Sequence, residues 1–342
     1  MNGSVLRARD VRLRQLQCQS ILLNESFKLR QTRRVGAKPT VAARLARAPE
    51  TARFLRRAAP AFLREMSREY HRDSEPAPLH PRPKDWPDKG LHAAWLGHST
   101  VLLKLNGTTI LTDPVFSPRI GLNFGPVTLG IKRLIEVAAP MSELPPIDLV
   151  LLSHAHMDHF DLPSLRELEG KETEVLTAVR TADLLRTRRY KQVRELRWGE
   201  TAQTGGGVTV SAFEVNHWGA RMRSDVYRGY NGYTIETDGF RIIFGGDTAY
   251  TDAFRRLKSS RPYDLAIMPI GAYDPWIRVH CNPEQAWSMA NDAGADRVLP
   301  VHHQTFRLSH EPKHEPIERI LRAAGSDLER ICIRELGAEF HL

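Results

Sequence analysis

The stretch Ser153-His154-Ala155-His156-Met157-Asp158-His159-Phe160-Asp161 decides how the rest of the chain is understood. It places three imidazoles and two carboxylates within eight residues, directly after the apolar run Asp148-Leu149-Val150-Leu151-Leu152. That run is short, branched and preceded by Pro145-Pro146, the pattern of a buried strand. The histidines therefore emerge at a strand end, where layered α/β scaffolds carry functional groups. Alternation along an extended chain turns His154 and His156 the same way, so both can grip one ion. Asp158 and His159 follow as the chain turns and can face a second ion. A polar loop whose histidines only satisfy backbone groups accounts for one imidazole, but poorly for H-x-H-x-D-H at a strand end.

Working outward, Ala93–Gly97 and Thr100–Leu105 read as strands, and Asn106-Gly107 is a hairpin signal leading into Thr108–Thr112. Asp113-Pro114 ends that strand, and residues 115–147 read as a long active-site loop. A helix follows Pro163 through Leu168. Glu174–Thr177 reads as a strand, Ala182–Arg188 as a helix and Leu196-Arg197-Trp198 as a short strand. After Gly205-Gly206-Gly207, the strand Val208–Phe213 leads to Asn216-His217-Trp218. A second hairpin, Tyr233–Thr237 with Phe240–Phe244, ends in Gly245-Gly246-Asp247-Thr248 and echoes Val101–Asp113. Pro262–Pro269 likewise echoes Pro146–Leu152. A helix near Pro283–Ala293 precedes the strand Arg297–Val301, which delivers His302 and His303. Two related β-rich halves predict two sheets packed face to face with helices outside.

With 342 residues and 41% hydrophobic content, the chain can bury a substantial core. No apolar run approaches the roughly 18 residues that span a bilayer. The three cysteines, Cys18, Cys281 and Cys332, are far apart, which fits a reducing compartment. The formal charge of +9 is uneven: residues 1–85 hold 19 Lys+Arg against 8 Asp+Glu, a net of +11, so the remainder carries −2. Residues 1–88 thus read as a basic N-terminal extension with a proline-rich linker, and residues 89–342 as the catalytic domain. Residues 41–70 have helical periodicity with arginines between the apolar positions, suited either to an anionic membrane surface or to packing on the catalytic domain. Residues 1–40 lack an apolar signal-peptide core, while their arginine-rich, acid-poor composition resembles a transit peptide. No basic motif with interleaved aromatics suggests nucleic acid as a partner.

The polar residues at strand ends are His154, His156, Asp158, His159, His217, Asp247 and one of His302 or His303. They divide between two ions: His154, His156 and His217 on one, Asp158, His159 and His302 on the other, with Asp247 bridging. No cysteine lies among them, so an open, catalytic site is expected rather than a closed structural one. Two metals about 4 Å apart can hold a bridging hydroxide and neutralise charge on a phosphoryl or acyl oxygen, which implies hydrolysis.

H-x-H-x-D-H followed by isolated His, Asp and His resembles the metallo-β-lactamase superfamily. Trp95-Leu96-Gly97-His98-Ser99-Thr100, Thr112-Asp113-Pro114, His217-Trp218 and Gly245-Gly246-Asp247-Thr248 carry the likeness, with Pro269-Ile270-Gly271-Ala272-Tyr273 and Val301-His302-His303-Gln304-Thr305-Phe306. They narrow it to the branch containing the phospholipase D that hydrolyses N-acylphosphatidylethanolamine. The resemblance covers roughly residues 85–315. It implies an αβ/βα sandwich, an α/β fold of four layers, and two Zn2+ ions or other divalent metals on the seven ligands above. His302 is the implied last ligand, although the family commonly has His-Trp-Gly-Thr-Phe where this chain has His302-His303-Gln304-Thr305-Phe306, which keeps His303 open. Asp158 and His280 become the candidate catalytic residues, with His280 orienting the phosphate or protonating the leaving alkoxide. A solvated loop histidine is the plain alternative for His280. Asp113 is expected to orient a ligand histidine, with His98 and His303 nearby. Trp218, Tyr273 and Trp276 suit the substrate cleft, or equally an ordinary core or rim.

The expected activity is a phospholipase D-type phosphodiesterase acting on a phospholipid. A lactonase or other small-molecule ester hydrolase is the alternative, and a lipid-surface binding protein with a vestigial site is the alternative from another class. A cytoplasmic protein, peripheral at the inner face of the membrane through the basic helix, fits these features, and a homodimer is compatible with them.

Overall fold

The computed structural model describes residues 72–124, 127–222 and 224–342. The helix expected over residues 41–70 lies outside them. Among the described residues, fifteen strands carry the fold. In chain order they are β1 (Leu91–Gly97), β2 (Thr100–Leu105), β3 (Thr108–Thr112), β4 (Arg119–Phe124), β5 (Val127–Lys132), β6 (Leu149–Leu152), β7 (Glu174–Ala178) and β8 (Gln192–Leu196). They continue with β9 (Thr201–Gln203), β10 (Thr209–Phe213), β11 (Gly232–Glu236), β12 (Arg241–Phe244), β13 (Leu265–Pro269), β14 (Val298–Val301) and β15 (Glu339–His341).

The strands form a seven-stranded sheet, β15-β1-β2-β3-β6-β7-β8, and a six-stranded sheet, β14-β13-β12-β11-β10-β9. The internal echo in the sequence is visible here. In the first sheet an antiparallel meander gives way to parallel pairing at β3–β6, and in the second at β12–β13. All ligand-bearing strands therefore end on the same edge of their sheet.

Period-two alternation sorts the second sheet's residues between two cores. Leu265 and Ile267 of β13 join the main cluster that also holds Leu102, Ile110 and Leu149 of the first sheet. Ala266 and Met268 instead face a second cluster built with the helices Ala253–Leu257, Pro283–Ala293 and Glu315–Ala324. The helix Pro283–Ala293 starts where expected because Asn282 and Gln285 form a reciprocal capping box, and Gly294 ends it in the left-handed region (φ 76°). Every residue of β6 is fully buried, each leucine contributing about 1.5–3 kcal/mol. No helix among the described residues is long and apolar enough to cross a membrane.

Three local expectations are corrected. Residues 115–147 are not an irregular loop but contain the β4–β5 hairpin. Its strand signal is masked by Gly121 and Gly130, which pair across the strands where an added Cβ would lie 1.9–2.1 Å from backbone oxygens. Residues 182–188 form two separate 3-10 turns, Ala182–Leu184 and Thr187–Arg189, with Leu185 extended between them. The Glu195 carboxylate takes the Thr181 and Ala182 N–H groups at 3.0 and 2.9 Å. The short strand expected over Leu196–Trp198 is instead β8, which ends at Leu196, since Arg197–Glu200 is a turn whose Arg197 N–H is held by the Glu200 side chain.

Candidate metal centre

Several strand ends deliver their residues through an unusual backbone turn. His98, Asp113 and His302 have φ of 53°, 32° and 64°, a region that costs non-glycine residues about 1–3 kcal/mol and gathers at functional sites. Gly246, beside Asp247, has φ 56°, and a Cβ there would meet Asn231 O at 2.8 Å and Ser153 Cβ at 2.9 Å. Only glycine lets Asp247 pass this close to the start of the histidine loop.

Among the described residues, four overlapping groups of ligand atoms result: Asp113, His154 and His159; Asp247, His280 and His302; and two of four members. His154, His156, His217 and Asp247 form one, and His98, Asp158, His159 and His302 the other, with the atoms of each group within 4.8 Å of one another. In the first, His156 Nδ1 lies 2.7 Å from His154 Nε2 and 3.3 Å from His217 Nε2. In the second, Asp158 Oδ2 lies 3.0 Å from His98 Nε2 and 3.6 Å from both His159 Nε2 and His302 Nε2. Asp247 Oδ2 stands between them, 3.0 Å from His159 Nε2, 3.1 Å from His302 Nε2, 3.7 Å from His217 Nε2 and 3.9 Å from His154 Nε2. Nitrogen ligands about 2.0–2.1 Å from one tetrahedral ion are spaced about 3.3 Å apart.

Neighbours set the tautomers. His159 Nδ1 donates to Asp113 Oδ2 at 2.7 Å, and Asp113 also accepts the Ser153 N–H at 2.7 Å and its hydroxyl at 2.5 Å. Ser153 Oγ in turn lies 2.9 Å from His154 Nδ1, and His217 Nδ1 donates to the Val279 carbonyl at 2.9 Å. In each ring the Nε2 lone pair is left facing the cluster. Yet His159 Nε2, His302 Nε2 and both Asp247 oxygens are buried with no hydrogen-bond partner. Leaving such groups unmatched costs roughly 1–3 kcal/mol apiece. The buried donor set, all N and O, therefore fits divalent metal.

The electrostatics agree. Burial opposes ionisation of Asp158 and Asp247, but the imidazoles around them outweigh it and hold both carboxyls well below the usual range. Burial pushes His217 and His280 down to about 3 and His156 to about 4, keeping them neutral. His302 and His159 are the contrast: burial lowers both, but Asp247 and Asp158 hold His302 up to about 9, and Asp247, Asp158 and Asp113 raise His159 well above the usual imidazole range. Without another cation, these two rings carry the positive charge that the carboxylates demand.

The remaining candidates separate. His280 is buried with Nδ1 3.8 Å from Asp247 Oδ2, at the rim of the cluster. His303 stacks on Trp95 with ring centres 4.5 Å apart and joins neither group. Trp218 packs against His156 and His217, bordering the first group. Trp276 donates Nε1–H to the Leu308 carbonyl, and its own carbonyl accepts the His280 N–H, so it shapes the His280 loop. Tyr273 turns away from the cluster: its hydroxyl donates to Glu315 Oε1 at 2.8 Å and Arg319 lies over its ring, so it does not line the cleft. Sequence reasoning assigned no role to Arg221, whose guanidinium bonds the Ala155 and Phe160 carbonyls at 3.2 and 2.7 Å and clamps both ends of the histidine loop. Nor did it single out Thr305, which accepts the His98 N–H. Neither has a sequence signal beyond proximity to a ligand.

The beta-lactamase superfamily domain matches residues 108–303, more than half the chain. An uncharacterized protein of Mycobacterium tuberculosis is 34% identical over 251 residues, covering 71% of this chain and 66% of that protein. The mitochondrial N-acyl-phosphatidylethanolamine-hydrolyzing phospholipase D of Saccharomyces cerevisiae is 33% identical over 261 residues, 72% of this chain and 55% of the yeast protein. The chain thus spans just under two thirds of the first relative's length and about half of the second's. Among solved structures, the metallo-beta-lactamase fold protein YhfI from Bacillus subtilis superposes with a TM-score of 0.51 at 18% identity, over 74% of this chain and 100% of that one. The matched domain, the αβ/βα sandwich and the paired His/Asp groups at its strand ends make this chain a member of the metallo-β-lactamase superfamily.

Proposed function

We propose that the chain is a two-metal hydrolase cleaving the phosphodiester of an N-acylphosphatidylethanolamine-like phospholipid, in the manner of a phospholipase D. The observation that carries this is the position of Asp247 Oδ2, buried and within 3.9 Å of four imidazole nitrogens drawn from both groups. His154, His156 and His217 would hold one ion, and Asp158, His159 and His302 the other, with Asp247 shared. Bound there, two divalent ions such as Zn2+ supply Lewis acidity toward phosphoryl oxygens and acidify water for attack. His98 donates from Nε2 to Asp158 and fixes that carboxylate's orientation. His280, neutral at physiological pH, suits a hydrogen bond from its ring N–H to a phosphoryl oxygen rather than proton delivery as an imidazolium. The preference for a lipid phosphodiester is supported by the likeness to the yeast enzyme.

The test is turnover of N-acylphosphatidylethanolamine, bis(p-nitrophenyl) phosphate and a simple lactone by the metal-loaded chain. Release of phosphatidic acid from the lipid is expected. Lactone turnover without phosphodiester cleavage would overturn the assignment.

A further inference from the structure

The β4–β5 hairpin plays no part in holding the metal groups, yet it grows from beside them. Ile120 packs with Val115 and Phe306, joined by Ile131. The Phe306 ring meets His98 edge-on at 5.3 Å. Cross-strand register puts Ile120 opposite Ile131 and Leu122 opposite Leu129, so these four share one face. The first pair is packed against the body of the domain, but Leu122 and Leu129 are 43% and 48% exposed. The other face is polar, with Arg119 opposite Lys132 and Asn123 bonded to Thr128. Residues 119–132 contain no Asp or Glu. Of the eleven exposed large hydrophobics among the described residues, eight lie in segments that follow the strand ends of the site-bearing edge, including Met222, Val226 and Tyr227. Exposed apolar side chains grouped on one edge mark an interaction surface.

We propose that this hairpin is a lipid-docking arm, its Leu122–Leu129 face entering the surface of an anionic bilayer while Arg119 and Lys132 meet the headgroup phosphates. An apolar face beside cations, with no acidic residue to repel phosphate, is the composition that interfacial elements share. The arm would seat the metal centre over its substrate's own membrane, so the inference rests on the lipid reading of the function.

The experiment is co-sedimentation of the full chain with phosphatidylcholine/phosphatidylglycerol vesicles at high salt, where the basic N-terminal residues contribute least. Leu122→Ser/Leu129→Ser should bind about tenfold more weakly than wild type, and Leu122→Phe/Leu129→Phe should retain binding. Thermal unfolding confirms that each variant is folded, and the single Leu122→Ala variant gives the same reading, with a smaller loss, should the double variant fail. Wild-type-like binding by the serine variant would overturn the arm. So would a wild-type dimer on gel filtration that the serine variant dissociates, since a second copy would then cover the face. Hairpin-dependent vesicle binding without any lipid cleavage would refute the proposed reaction and leave the arm standing.

Discussion

The two halves of the molecule supply the metal groups in opposite ways. The first half concentrates His154, His156, Asp158 and His159 in one loop after β6, held from beneath by Asp113 and Ser153 and clamped at both ends by Arg221. The second half delivers His217, Asp247 and His302 singly, from the ends of β10, β12 and β14. A dense loop is economical in sequence but shares its supports, so one lost anchor disturbs several ligands. Dispersed ligands are supported separately, with one exception, because Asp247 touches both groups.

That exception gives the largest expected effect. Asp247→Ala should lower hydrolysis by more than about 100-fold and reduce the retention of both metals, exceeding the loss from any supporting residue. A variant that keeps one ion tightly would show that Asp247 serves a single group. Asp113→Asn comes next: by upsetting the bonds to His159 and Ser153 it should weaken metal affinity about 10–100-fold, measured by chelator competition. Arg221→Lys should act in the same direction but less strongly, since both carbonyls are bonded by the single nitrogen Nη1 and a lysine ammonium, on a shorter and more flexible stem, can still donate to one of them. An effect equal to that of Asp113→Asn would make the clamp as important as the support beneath the loop.

In the metal-free chain Asp247 and Asp158, against the effect of burial, hold the His302 ring up to about 9, and with Asp113 they raise His159 well above the usual imidazole range. Metal must displace both protons, so below about pH 9 binding should release protons and apparent affinity should rise with pH toward that value. Calorimetry in buffers of differing ionisation enthalpy reads this directly, and an affinity independent of pH between 7 and 9 would contradict it. The smallest effect is expected at Tyr273→Phe, which removes a hydrogen bond to Glu315 on the side away from the cluster. It should cost about 1 kcal/mol of stability and leave turnover within about twofold.

The dense loop was legible in the sequence because its chemistry is local: ligand type and spacing alone distinguish it from an ordinary turn. The strands were legible for the same reason, since the run Leu149–Leu152 and the Asn106-Gly107 turn act over a few residues. What could not be read depends on partners distant in sequence. Arg221 matters only because its side chain reaches carbonyls 61 and 66 positions away. Tyr273 looks like a cleft residue until Glu315 is brought beside it. The β4–β5 hairpin has a weak sequence signal because paired glycines remove the side chains that ordinarily announce a strand. His302 and His303 are neighbours of one chemical type, and only the turn after β14 decides which ring faces Asp247 and which stacks on Trp95.

If both halves build one two-metal centre around Asp247, X-ray absorption spectroscopy of the metal-loaded chain, with metal content measured on the same sample, will register it. Two ions per chain with a metal–metal vector of about 3.5–4 Å are expected. A single ion, or two with no such vector, would contradict it.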